Sequence, residues 1–160
     1  MTITEQKAAQ RKAGIAARRA LSDTERTRSN AALCARIMAL DCFKKAENIL
    51  LYAAFGGEAD LSALAVEAAR QGKTLAYPVC GEGFSLTAAV PGPDGWEVGA
   101  YGIRTPILSR SAVLPPDKLD LVLVPCTAFD TACRRVGMGK GYYDRYLPRC
   151  TRAVKTGRGL

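Results

Sequence analysis

The chain of 160 residues carries 23 lysines and arginines against 15 acids and no histidine, a formal charge of +8 at neutral pH. Without an imidazole, Ser-His-Asp and Cys-His catalysis and histidine-bound metals are excluded, so any chemistry must run on carboxylates, cations, hydroxyls, backbone dipoles or a bound ion. With 48% hydrophobic residues the length suits one domain, residues 1–160, around a substantial core; it has no bilayer-length apolar run and no apolar leader, so we expect a cytoplasmic monomer.

The spacings Thr2-x-x-Glu5 and Ser22-x-x-Glu25 both have the form of a capping box and predict helices starting near residues 3 and 23. On the first helix Lys7, Arg11, Gly14 and Arg18 fall within about 40° of a common line at about 100° per residue. The result is a cationic stripe with a gap at Gly14, where a ligand or another backbone can come close. On its own such a stripe reads as a solvated face before it reads as one wall of an anion site. In the second helix Leu33, Ile37 and Leu40 recur at helical spacing and should face the core.

Residues 48–55 (NILLYAAF) form an apolar run ended by Gly56-Gly57, which predicts a buried strand opening into a loop. Asp60 can cap a third helix whose Leu61, Leu64, Ala65 and Ala68 face inward and which Gln71-Gly72 ends. Residues 74–79 and 84–90 read as further strands. After a Pro/Gly-rich connection, residues 119–124 (LDLVLV) are apolar on both faces and should lie inside the sheet. Strand, helix, strand at this spacing predicts a three-layer α/β/α fold, Rossmann-like, around a mostly parallel central sheet with right-handed crossovers. Ligands of such sheets bind beyond the carboxyl ends of the strands, where Gly56-Gly57-Glu58 and a later glycine-rich run both fall.

That run, residues 134–145, is the densest chemical signal in the chain. It sets three alternating glycines, four cations, two tyrosines and one carboxylate in twelve positions. Glycines let backbone N–H groups turn toward an anion, cations neutralise phosphate oxygens, and a lone carboxylate among them can ligate magnesium. Gly141 stands where a Walker A loop needs Ser or Thr after its lysine, and a dinucleotide fingerprint needs its third glycine one place later, so neither standard nucleotide fingerprint fits. Charge is concentrated at the two ends: residues 1–30 hold seven cations and three acids, and residues 131–160 hold eight cations and one acid. This suits an anion site built from both termini or, alternatively, a non-catalytic basic module for RNA or other polyanions, although the N-terminal segment lacks the interleaved aromatics that a nucleic-acid surface would favour. Six cysteines occur without a Cys-x-x-Cys pair, and most are expected to be reduced and buried.

The motif Val124-Pro125-x-x-Ala128-Phe129-Asp130 followed by Arg135-Val136-Gly137-x-Gly139-x-Gly141-Tyr142-Tyr143-Asp144 resembles the signature of the 5-formyltetrahydrofolate cyclo-ligases, or methenyltetrahydrofolate synthetases. The likeness extends to Lys7, Arg11, Tyr52, Glu58, Pro78 and Gly102-Ile103-Arg104-x-Pro106, in the family's order. It implies ATP-dependent closure of 5-formyltetrahydrofolate to 5,10-methenyltetrahydrofolate with release of ADP and phosphate. By that resemblance Lys7, Arg11, Arg135, Val136, Gly137, Met138, Gly139, Lys140, Gly141, Tyr142 and Tyr143 would hold ATP, with Lys140 and Arg135 serving the chemistry. Glu58, with Met138, Gly139, Lys140, Gly141 and Tyr142, would hold the reduced folate, and Asp144 would bind magnesium. Read from the residues alone, Asp144 could equally pair with Arg145 or cap a helix, Glu58 could be a solvated loop acid, and Tyr143 suits the core.

Cys133 stands where the family has glycine, and Thr105 where it has an acid. The family's pattern also continues past Leu160 with further strands and a second acidic ligand. From this we expect missing C-terminal strands and weakened turnover.

Overall fold

The structure, a computed structural model, describes residues 1–156. Both capping boxes form as the sequence predicts. Thr2 Oγ1 accepts the Glu5 N–H at 3.2 Å while Glu5 Oε2 accepts the Thr2 N–H at 2.6 Å, and Ser22 and Glu25 repeat the exchange at 3.2 and 2.8 Å. They start α1 (Ile3–Ala20) and α2 (Asp23–Ala39). Helix α2 buries Cys34 and Ile37, with Leu33 half-buried beside them. Leu40, expected in the core, is half-buried instead, because the chain leaves helical geometry there before the short α3 (Asp41–Lys45).

Strand β1 (Asn48–Leu50) leads through a loop to α4 (Ser62–Arg70) and β2 (Thr74–Cys80). The expected strand over 48–55 is shorter because the chain turns out of the sheet at Tyr52, whose hydroxyl donates to the Ala59 carbonyl at 3.1 Å and closes the loop on itself. Asp60 Oδ1 accepts the N–H and the hydroxyl of Ser62, so it serves the start of α4 from one residue further out than a regular cap. β3 (Leu86–Pro91) is followed by a ribbon of β4 (Trp96–Val98) and β5 (Arg104–Pro106), then by β6 (Ser111–Leu114) and β7 (Leu121–Leu123). A hairpin of β8 (Ala128–Phe129) and β9 (Arg135–Val136), the short α5 (Tyr142–Tyr146) and β10 (Val154–Thr156) complete the described chain.

The central sheet has the order β10-β7-β1-β2-β3-β6. Its first four strands are parallel, while β3 and β6 run antiparallel to their neighbours. Alternation along β1 and β7 divides the core. Ile49, Leu51, Leu121 and Leu123 pack on α2, α3 and α4, whereas Leu50, Val122 and Val124 pack with Ala76 and Ala88 against Tyr146, Cys150 and Ala153. This is the expected three-layer arrangement. Each fully buried aliphatic side chain contributes about 1.5–3 kcal/mol of transfer free energy, so the sheet centre is a firm platform. Helix α1 contributes no buried residue to it and must be held by other means.

β10 was not anticipated, since its residues are half-exposed or exposed and carry little apolar pattern. None of the six cysteines forms a disulfide, but only Cys34 and Cys150 are buried; Cys80 and Cys133 are exposed because they lie at a strand end and in a hairpin loop. Among the described residues no helix is long and apolar enough to cross a membrane.

Candidate functional site

Helix α1 docks on the β8–β9 hairpin through its cationic stripe. Arg11 donates its Nε–H to the Gly137 carbonyl at 2.7 Å, and one turn on, Gly14 lies so close to the Thr127 carbonyl that a Cβ there would overlap it. Arg18, a further turn along, donates to the Cys126 carbonyl. The stripe is therefore a packing face: guanidinium groups satisfy carbonyls just past β7 and just past β9, and glycine at the crossing lets the two backbones approach. Thr127, a buried polar residue, returns both its N–H and its hydroxyl to the Val136 carbonyl at 2.8 Å, which fixes the base of the hairpin.

From β9 the glycine-rich segment runs to α5. Gly139 and Gly141 have φ of +97° and +74°, a backbone that only glycine adopts without strain. A Cβ on Gly139 would sit 3.2 Å from Arg11 Nη2, so the guanidinium that clips Gly137 also faces the loop two residues later. Met138 and Lys140 are exposed, as is Lys7 on α1. Arg135, its side chain only 16% exposed, lies over the Tyr143 ring at 5.6 Å and binds Asp144 Oδ1 through Nη2 at 3.0 Å; Asp144 is itself 79% exposed. Asp144 therefore pairs with Arg135 and not with Arg145. Arg145 donates to the Lys140 carbonyl at 3.2 Å and stacks on Phe84, which also meets Tyr142 edge-on.

Glu58 lies under this assembly. Its Oε2 accepts the Phe55 N–H at 3.3 Å, and Gly57 before it fits beneath Arg26 and Arg18, whose own carbonyl takes a bond from Arg26 at 3.1 Å. Burial pushes the Glu58 carboxyl above its ordinary pKa, against the opposing pull of the Phe55 N–H and Arg18. Burial likewise raises the Tyr52 and Tyr143 phenols, both of which feel the Glu58 charge. Glu58, Arg18, Arg26 and Tyr52 border a hollow of about 260 Å³ between α1, α2 and the ends of β1 and β7.

The sequence profile of the 5-formyltetrahydrofolate cyclo-ligase family matches residues 3–158. The chain belongs to the 5-formyltetrahydrofolate cyclo-ligase family. It is 35% identical over 107 residues to the 5-formyltetrahydrofolate cyclo-ligase of Haemophilus influenzae, a match covering 65% of this chain and 57% of that enzyme. With that of Escherichia coli K12 it shares 30% over 133 residues, covering 81% and 73%. The NMR structure of Aquifex aeolicus 5,10-methenyltetrahydrofolate synthetase superposes with a TM-score of 0.79 at 35% identity, covering 94% of this chain and 77% of that one.

Within this cyclo-ligase fold, the residues singled out from the sequence fall into two groups. Arg11 meets Gly137 and Gly139, and Arg135, Tyr143 and Asp144 form a second cluster on the same loop. Glu58 borders the 260 Å³ hollow, whose walls do not include Met138, Gly139, Lys140, Gly141 or Tyr142. Sequence reasoning passed over Arg26 and Phe84, and took Arg145 only as a cation of the run and a candidate partner of Asp144. Nothing local marks Phe84, which meets α5 only through the fold.

Proposed function

We infer that the chain closes 5-formyltetrahydrofolate to 5,10-methenyltetrahydrofolate with ATP and magnesium. The observation that carries this reading is the Arg11–Gly137 bond, which brings the N-terminal cations and the glycine-rich loop to one place at the carboxyl end of the sheet. Arg11 and Lys7 on one side, and the loop from Arg135 to Tyr143 on the other, hold the triphosphate. The positive-φ glycines at 139 and 141 keep side chains off the phosphates, and the exposed Lys140 reaches them from the loop.

Asp144 fits magnesium. One of its oxygens is taken by Arg135 and the side chain is open, while no group of three or more Asp, Glu, Cys or His gathers among the described residues. A single carboxylate with phosphate and water completing the shell is a common magnesium arrangement, whereas an all-protein cage is absent from these residues. Bound there, the ion would offset phosphate charge.

In the reaction the formyl oxygen attacks the γ-phosphorus and ADP leaves; the neighbouring folate nitrogen then attacks the activated carbon and phosphate departs. Phosphoryl transfer asks chiefly for alignment and charge stabilisation, so a chain without histidine can perform it. Lys140 and Arg135 stabilise the transferring phosphoryl group, and Glu58 accepts hydrogen bonds from the N–H edge of the pterin. A polyanion-binding reading loses ground because Arg18 and Arg26 spend donors on internal carbonyls. The test is the appearance of the methenyl chromophore from 5-formyltetrahydrofolate. It should require both ATP and magnesium; folded protein that gives none with both present would overturn the assignment.

A further inference from the structure

A second hollow, of about 340 Å³, opens on the other side of Tyr52, which borders both. Tyr77, Trp96, Arg104 and the start of α4 at Asp60 and Ser62 form its walls. The antiparallel ribbon pairs Trp96 with Pro106 and Val98 with Arg104, which puts Trp96 and Arg104 on one face. There the indole stands edge-on to Tyr77, with ring centres 4.7 Å apart, and the Arg104 guanidinium lies 4.6 Å from the centre of the indole ring. Stacking of this kind orients a guanidinium without using its N–H donors. Arg104 has no carboxylate partner among the described residues. The one acid in the walls, Asp60, is engaged with the N–H and hydroxyl of Ser62, so its charge is committed to the helix start. The hollow thus has an aromatic floor and, at its lip, a pre-oriented cation with unused donors.

We propose that this hollow takes the aryl-carboxylate tail of a folate, the benzoyl ring lying against Tyr77 and Trp96 and a carboxylate forked onto Arg104. The proposal rests on the reading above, in which the pterin ring sits at Glu58, because the shared Tyr52 makes the two hollows neighbours. Arg104 is then a specificity-determining residue that selects ligands carrying the tail, since a planar fork of donors matches a carboxylate in a way a lone ammonium does not.

Trp96 is the only tryptophan in the chain, so its fluorescence reports on this hollow directly. Three ligands are titrated into the wild type and Arg104→Gln: 5-formyltetrahydrofolate, the tailless 5-formyl-6-methyltetrahydropterin, and 4-aminobenzoylglutamate, which is the tail alone. In the wild type the folate and the isolated tail should perturb Trp96, and the pterin should bind without doing so. Arg104→Gln should weaken the folate about tenfold, abolish the response to the isolated tail and leave the pterin and ATP unchanged. Arg104→Lys, which keeps the charge but not the fork, should recover only part of the loss. Equal losses for folate and pterin, or no response of wild-type Trp96 to the isolated tail, would overturn the proposal. A wild type that responds to the isolated tail yet does not bind the pterin would uphold the tail site and count against the ring site at Glu58.

Discussion

Arg11 and Gly137, 126 positions apart in the chain, are joined by a 2.7 Å hydrogen bond from the guanidinium Nε to the carbonyl oxygen. Because α1 buries no residue, this bond, the Gly14–Thr127 crossing and the Arg18–Cys126 contact carry much of its attachment. A helix held by polar clips at a loop opens more readily than one seated on the apolar core. The amides of α1 should therefore exchange with solvent far sooner than those of β1 and β7. ATP with magnesium should slow α1 and residues 137–141 together, as hydrogen exchange followed by mass spectrometry would reveal. Slowing confined to one of the two segments would contradict a shared site.

Gly14→Ala separates local preference from packing. Alanine is favoured over glycine in a helix interior by about 1 kcal/mol, but its Cβ would overlap the Thr127 carbonyl. Since that contact is with backbone, relief requires α1 to shift, and we expect a net loss of about 1–3 kcal/mol in denaturant unfolding together with weaker ATP binding. A stabilised variant would mean that the crossing is looser than described.

Cys133 has φ of +71° in the loop of the β8–β9 hairpin, which Asp130 closes by accepting the Arg134 N–H at 2.9 Å. The left-handed region costs a non-glycine residue about 1–2 kcal/mol, while glycine loses more entropy on folding, by about 0.5–1 kcal/mol. Cys133→Gly should therefore stabilise the chain by roughly 0.5–1 kcal/mol, visible as a raised Tm without loss of ATP affinity.

Much of this arrangement was legible because it is local. Capping boxes are set within four residues, and the apolar runs of β1, β2 and β7 declare themselves. A glycine missing from the motif drew attention to Cys133, where the backbone is left-handed. β10 was not legible, because Val154, Lys155 and Thr156 form an edge strand through backbone pairing with Leu121, Val122 and Leu123, with little apolar pattern of their own. Nor was the hollow at Trp96, whose walls come from three strands, a loop and a helix start that meet only when the chain folds. The stripe on α1 and the close backbone approach at Gly14 were legible, but its carbonyl partners were not: Arg18 spends donor capacity on a carbonyl, which no charge count reveals.

Glu58 gives a dependence on pH. Burial raises its pKa in the folded chain above the ordinary value of 4.5, so folding favours its protonated form. Its contribution to stability is fully present below pH 4.5 and is lost as pH rises through the raised value. Glu58→Gln should remove that slope and unfold at a higher temperature at neutral pH. The same variant should bind 5-formyltetrahydrofolate about tenfold more weakly, because an amide accepts the pterin N–H edge less well than a carboxylate. Folate affinity of the wild type should fall as acid protonates Glu58, and a flat profile in Glu58→Gln would confirm the source.

The central claim is that α1 and the glycine-rich loop grip one triphosphate, and a double-mutant cycle on ATP affinity tests it most directly. Calorimetric titration of ATP with magnesium would compare the wild type, Arg11→Ala, Lys140→Ala and the double variant. Each single change should weaken binding about tenfold, and the double should depart from additivity by at least about 0.5 kcal/mol. Folded single variants that bind ATP as tightly as the wild type, or losses that simply add, would contradict it.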